Sequence, residues 1–169
     1  TGEAEKKEST RKIIELVSFT IANEEYGIEI LKVQEIVRLP EIVKLPNSFR
    51  FIKGVINLRG KITPILDLRE QFGLESKEYD TNSRAIVVNI EGKAIGLATD
   101  NVSHVIRINS DDIEPAPPVI KGIAGRYVKG VGKYENRFII LLDLDQLLTS
   151  SELTLIGKIA DKSPKEINQ

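Results

Sequence analysis

What most constrains this chain is that it contains the same pattern twice. Tyr26-Gly27-Ile28 is matched by Ile95-Gly96-Leu97. At the same offset Val33 falls on Val102, Ile36 on Val105, Val37 on Ile106, Arg38 on Arg107 and Leu39 on Ile108. Further on, Gly54-Val55 is matched by Gly130-Val131, and Pro64-Ile65-Leu66-Asp67-Leu68 by Ile140-Leu141-Leu142-Asp143-Leu144. The offset grows by seven residues between these anchors, in the interval that holds the acidic, proline-rich loop Asp111–Pro118. The duplication divides the chain into a polar tail at 1–12, a first unit at 13–82, a second at 83–150, and a helix with a polar tail at 151–169.

Each unit reads as β-structure. Val17, Phe19 and Ile21 alternate with Ser18 and Thr20, the period of a half-buried strand, and Asn23-Glu24-Glu25 turns the chain into a second strand at Tyr26–Ile30. Gly54–Leu58 and Ile62–Leu68 form a hairpin about Arg59-Gly60-Lys61, where glycine permits a positive φ. Pro64 cannot donate to a ladder, so it predicts an edge strand or a bulge. Arg84–Ile90 pairs with Lys93–Thr99 across Glu91-Gly92, and Tyr127–Val131 with Arg137–Leu144. Leu31–Leu39 and Val102–Ile108 fit either a strand or a helical turn. Leu153, Ile156 and Ala160 at i, i+3 and i+7 predict a short amphipathic helix. Two all-β units of about five short strands each have the turn spacing of small barrels.

Composition narrows the function. A net charge of −1 and 5% aromatic residues argue against a nucleic-acid binder, which carries a basic, aromatic-rich face. With no cysteine there is no disulfide or thiolate chemistry. The start of the sequence lacks an apolar signal-peptide core, and no apolar run reaches membrane-spanning length. His104 stands alone. Asp111, Asp112 and Glu114 lack the spacing of a calcium loop. Gly54 to Gly60-Lys61 misses a phosphate-loop motif by one residue of spacing and by Ile62 where Ser or Thr is required. Asp67 and Asp143 read as caps of the turns that follow them.

Surface features remain. Val33, Ile36, Val37, Leu39, Ile42, Val43 and Leu45 are many apolar side chains for one irregular stretch; either all are core, or some form an exposed patch of the kind that marks a partner site. Arg59, at the mouth of a turn, can pair with Glu35, face a partner protein, or stand solvated. A small-ligand-binding barrel is the other function compatible with these features.

Residues 26–36 (YGIEILKVQEI), 51–60 (FIKGVINLRG) and 64–69 (PILDLR), with Ile113–Pro117 and Gly130-Val131-Gly132, closely resemble the CheW family of bacterial chemotaxis coupling proteins. The resemblance runs from about Ile14 to Ile156. It implies two intertwined SH3-like barrels, no catalysis and no cofactor. It further implies an adaptor in the cytoplasm, recruited to membrane-associated receptor arrays without itself entering the membrane. Its partners would be the regulatory domain of the histidine kinase CheA and the cytoplasmic tips of methyl-accepting chemoreceptors. The positions matching the family's kinase patch are Val17, Ile30, Val33 and Leu45. Those on or near its receptor groove are Ile56, Leu58, Arg59, Val102, Val105 and Gly130. Arg59 matches the arginine of the N-L-R-G motif, and Glu35 the acid often paired with it.

Overall fold

The computed structural model describes residues 12–45, 52–116, 118–120 and 123–160. Most of the predicted N-terminal tail, the loop at Pro46 and the C-terminal tail lie outside them. Lys12 is described and exchanges backbone hydrogen bonds with Ser110: its N–H donates to Ser110 Oγ and its carbonyl accepts from Ser110 N–H.

The strands are β1 (Ile13–Ile21), β2 (Glu24–Glu29), β3 (Val33–Arg38), β4 (Ile52–Leu58), β5 (Lys61–Asp67), β6 (Arg84–Ile90), β7 (Lys93–Thr99), β8 (Asn101–Asn109), β9 (Ile113–Glu114), β10 (Val119–Ile120), β11 (Ile123–Ala124), β12 (Val128–Tyr134) and β13 (Arg137–Leu142). Two α-helices accompany them, α1 (Leu68–Gln71) and α2 (Ser150–Ala160). Both ambiguous stretches resolve as strands, β3 and β8. Each adjoins one three-residue 3-10 turn, Ile30–Lys32 before β3 and Ser110–Asp112 after β8.

Four hairpins close on two-residue turns with positive φ at both positions: Ala22-Asn23, Arg59-Gly60, Glu91-Gly92 and Glu135-Asn136. This is the type I′ geometry whose twist matches that of paired strands. The first turn is therefore Ala22-Asn23, and Glu24 already belongs to β2. Asparagines three residues before the turn glycines reinforce two of them: Asn57 Oδ1 accepts from Gly60 N–H and Asn89 Oδ1 from Gly92 N–H, both at 2.8 Å.

The chain forms two SH3-like barrels that exchange strands. Barrel I has the order β8-β1-β2-β13-β12-β9, and barrel II β3-β6-β7-β5-β4. Substituting each strand by its copy turns one order into the other, with Val43, bridged to Val55, in the place of β9. The first hairpin of each repeat is thus built into the barrel of the other. Both sheets contain strands from either side of the 82/83 division expected from the sequence. The exchange is sealed by two parallel pairings, β13 to β2 (Leu141↔Gly27) and β5 to β7 (Ile65↔Gly96). β5 is therefore interior to its sheet rather than an edge. Pro64 stands one residue short of the ladder to β7, and the irregularity of its hairpin falls on β4, between Ile52 and Gly54.

Two matched glycines allow each barrel to close. At Gly54 a Cβ would lie 2.3 Å from the Val43 carbonyl oxygen; at Gly130 it would lie 2.7 Å from Ile113 Cγ2 and 2.9 Å from the Glu114 carbonyl oxygen. At these points the crossing segment presses on the hairpin, and both hairpins shift register there. The repeated Gly-Val is therefore a closure device.

Each barrel has a small interior: Leu16, Ile106, Ile108, Ile139 and Leu141 in barrel I, and Ile56, Ile65, Ala85 and Ala98 in barrel II. The largest cluster lies on the outer faces of the central strands and joins the two barrels. Val17, Phe19, Tyr26 and Ile28 meet Leu66, Ile86, Ile95 and Leu97 there, and Leu153 and Ile156 of α2 complete it. Phe19, Tyr26, Phe72 and Tyr127 follow one another ring to ring through its middle. Burial pushes the Tyr26 hydroxyl up to about 12, with Glu24 adding to the effect.

Candidate functional site

The polar residues with possible chemistry serve the fold. Asp67 caps α1, accepting from Arg69 N–H at 3.0 Å and Glu70 N–H at 3.4 Å, and Asp143 accepts from Asp145 N–H at 3.2 Å. His104 lies exposed on β8. The candidate sites are surfaces.

The positions matched to a kinase patch separate into two kinds. Val17 is buried in the cluster between the barrels, so its side chain cannot reach a partner. Ile30 and Val33 are partly buried and pack against that cluster; Leu45 is half-buried. Between Ile30 and Val33 the 3-10 turn holds Leu31 at 93% exposure, the largest value among the exposed large hydrophobics, and Ile36 and Val43 are exposed further along the same segment. The alternation of β3 accounts for this: Val33 and Val37 turn inward, Gln34, Ile36 and Arg38 outward. Leu31 has no such signal in the sequence, because a leucine between an isoleucine and a lysine reads equally well as core.

The receptor positions separate in the same way. Ile56 is fully buried inside barrel II, and Gly130 is the buried closure glycine of barrel I. Leu58 is half-buried and Arg59 exposed at the tip of the β4–β5 hairpin. Val102 and Val105 lie on β8 opposite Phe19 and Val17, across a register shift that places both on one face. Val102 packs against the cluster between the barrels and Val105 is 47% exposed. Val17 is thus the cross-strand neighbour of Val105.

Arg59 Nη2 donates to Glu35 Oε2 at 2.5 Å, joining the β4–β5 tip to β3. The hydrogen bond and charge of Glu35 hold the guanidinium even more firmly protonated than usual. Arg59 is largely solvated, so the pair is an exposed one whose attraction water screens. Glu35 Oε1 is buried with no hydrogen-bond partner among the described residues.

A groove of about 620 Å³ runs between residues 39–44 and 76–80. Tyr79 sits in it against the interior cluster of barrel II, with Lys53 Nζ 5.9 Å from its ring. Burial pushes its hydroxyl up, and the Asp67 carboxylate adds to this. The charges around the groove alternate in sign, with Lys44, Lys53 and Lys77 against Glu41, Glu78 and Asp80.

Filled barrels whose large exposed apolar side chains include the Leu31–Val43 segment of one barrel and β8 of the other define a class, that of β-built modules that work through protein contacts. Comparison with known proteins gives the particular family. The model of the CheW-like domain matches residues 15–152, and the chain belongs to that family. It is 42% identical over 146 residues to the chemotaxis protein CheW of Klebsiella aerogenes, covering 86% of this chain and 88% of that one. It is 30% identical over 149 residues to the CheW of Treponema pallidum, covering 86% and 88%. The crystal structure of the scaffolding protein TtCheW from Thermoanaerobacter tengcongensis superposes with a TM-score of 0.77 at 39% identity, covering 83% of this chain and 91% of that one.

Proposed function

We propose that this chain is a non-enzymatic adaptor of bacterial chemotaxis that couples chemoreceptor tips to the histidine kinase CheA. The observation that carries the reading is Leu31. A leucine 93% exposed on an ordered turn, flanked by half-buried Ile30 and Val33, has the form of an anchor awaiting a partner's pocket. In this reading Leu31, Ile30, Val33, Ile36 and Leu45 meet the regulatory domain of the kinase, and Val17 supports the fold only. Val102, Val105, Leu58 and Arg59 meet the receptor, with Ile56 and Gly130 shaping the barrels behind them. The adaptor acts by position: binding kinase and receptor together raises their effective concentration for each other. Receptor state then changes kinase activity only through contacts that differ between states. This places the protein in the cytoplasm at receptor arrays; among the described residues no helix is long and apolar enough to cross a membrane.

The test measures binding of purified kinase regulatory domain and of a receptor-tip fragment separately. Leu31→Asp should weaken the kinase fragment by about tenfold or more, the range of an interface hot spot, and leave the receptor fragment unchanged. Val105→Asp should do the reverse. Kinase binding that is indifferent to Leu31→Asp removes the proposed patch. The groove beside Tyr79 is the observation that favours a small-ligand reading instead, and saturable heat with any metabolite in calorimetry, lost in Tyr79→Ala, would support it.

A further inference from the structure

The two barrels carry one surface feature in common and differ in the charge beside it. Each has an edge strand, β3 in barrel II and β8 in barrel I, that turns a β-branched side chain outward: Ile36 at 41% exposure and Val105 at 47%. Each lies opposite a buried neighbour on the next strand, Ile86 on β6 and Val17 on β1. Two residues further along, on the same face, stands an exposed arginine, Arg38 in one barrel and Arg107 in the other. The residue opposite Arg107 is Glu15, whereas the residue opposite Arg38 is Arg84. The row next to the apolar contact is thus balanced in barrel I and doubly positive in barrel II.

Like charges placed directly opposite on neighbouring strands, with Cβ atoms about 5 Å apart, destabilise a sheet. Among the described residues no acid relieves this pair. Arg38 has neither a hydrogen bond nor an ion pair there, and Arg84 Nη1 donates to neutral acceptors, the Thr81 and Ser83 carbonyls, both at 2.8 Å. Those bonds hold the half-buried Arg84 side chain in place without cancelling its charge. The next residue along the row, Thr99 on β7, is also neutral, and its hydroxyl donates to the Arg84 carbonyl at 3.1 Å. Barrel I shows that the fold itself does not require a second arginine, since an acid occupies the equivalent place.

We propose that Arg38 and Arg84 form the specificity row of barrel II: the protein that docks on Ile36 presents carboxylates to them, and the balanced Glu15–Arg107 row disfavours that protein on the equivalent face of barrel I. The proposal rests on the reading in which Ile36 meets the regulatory domain of the kinase, and it adds an acidic character to the kinase surface that faces the row. The occupant is a protein because the row lies beside an exposed apolar side chain, and an apolar contact with a charged rim is the anatomy of a protein interface. Arginine forks suit carboxylates, which they can bind through two parallel hydrogen bonds. Charge complementarity of this kind sets partner choice and speeds encounter more than it adds raw affinity. Two faces with the same apolar feature need such a difference if each is to reject the other's partner.

The experiment titrates the full chain with the kinase regulatory domain and, separately, with the receptor-tip fragment, at low and at high salt. Arg38→Glu gives barrel II the opposite-charge row of barrel I. It should weaken the kinase fragment by about tenfold at low salt, mainly through slower association, and by less at high salt. The receptor fragment should bind as before. The melting temperature should not fall, because an attractive cross-strand pair replaces a repulsive one. Arg38→Lys, which keeps the charge, should bind the kinase fragment to within a few-fold of wild type. Leu31→Asp, measured alongside, keeps the two readings apart. Kinase binding that is lost in Leu31→Asp and unchanged in Arg38→Glu overturns the charged row and leaves the docking site standing; indifference to both substitutions removes the docking site as well. A melting temperature lowered by Arg38→Glu would make the arginine part of the fold and overturn the proposal. So would saturable binding of inorganic phosphate to the free chain that Arg38→Glu abolishes, which would assign the row to a small anion.

Discussion

The chain crosses between the barrels at two equivalent places, and the two crossings are built in opposite ways. From β7 to β8 it crosses through Asp100 alone. That carboxylate accepts from the Ala22 N–H at 2.9 Å and from Arg69 at 2.6 and 3.3 Å, while Arg69 also donates to the Glu75 carbonyl at 3.2 Å. Asp100 N–H donates to the Thr20 carbonyl. The two charged side chains retain only 13% and 16% of their exposure. From β2 to β3 the chain crosses through a 3-10 turn whose middle residue is the exposed Leu31, flanked by a solvated pair, Glu29 with Lys129 at 3.1 Å. Duplication supplied two equal junctions. One became an internal clamp that joins a β1–β2 turn, α1 and β8. The other became an outward-facing turn available for recognition.

The contrast predicts where substitutions destabilise and where they do not. The largest effect belongs to the clamp. Removing one partner of a largely buried charge pair leaves the other uncompensated, so Arg69→Met should cost about 3 kcal/mol. For a chain of this length that lowers the melting temperature by roughly 6–12 °C. Thermal unfolding of Leu31→Ser should show no more than about 1 °C of change by comparison, because an exposed side chain has little burial to lose. Equal losses at the two crossings would erase the distinction.

Acid sharpens it. Burial alone would raise the Asp100 carboxyl, but hydrogen bonds from Arg69 and from the Ala22 N–H outweigh burial and hold it below the ordinary carboxylate range. A depressed folded pKa stabilises above the unfolded value, near about 4, and that contribution disappears as pH falls through the folded value. Asp100→Asn should therefore be less stable than wild type at neutral pH, with the gap closing below about pH 4. A gap independent of pH would mean that the carboxylate charge is not what holds the crossing.

The smallest effect concerns the exposed pair at the tip of barrel II. Arg59→Glu and Glu35→Arg should each destabilise slightly, far less than loss of the clamp, and the double exchange should recover part of the loss. Strictly additive losses in denaturant unfolding would show that the 2.5 Å contact carries no coupling.

Much of this was legible in the residues, for reasons that can be named. The hairpins were, since Arg59-Gly60 and Glu91-Gly92 interrupt apolar runs where a chain must reverse. So was the helix, from Leu153 and Ile156. The surfaces were legible only in part. Val17 and Val33 look alike in sequence, yet β1 is buried on both faces, Leu16 inside barrel I and Val17 between the barrels, while β3 turns one face to water. Ile56 is among the positions matched to the receptor groove, yet its side chain lies inside barrel II. Leu31 and Phe138, two of the most exposed large side chains, carried no signal, because hydrophobicity records what a residue would gain by burial and says nothing of whether a neighbour arrives to bury it.

The sequence by itself determined that there are two copies of one β-unit and that the chain reverses at Arg59-Gly60 and Glu91-Gly92. These are local matters of backbone conformation and repeated pattern. Only the tertiary structure decided that each first hairpin joins the other copy's barrel, which crossing is clamped, and which faces stay open. Pairing between strands depends on hydrogen bonds and burial across the whole chain, and two copies of one pattern satisfy those demands equally well at home or exchanged until the connecting segments choose.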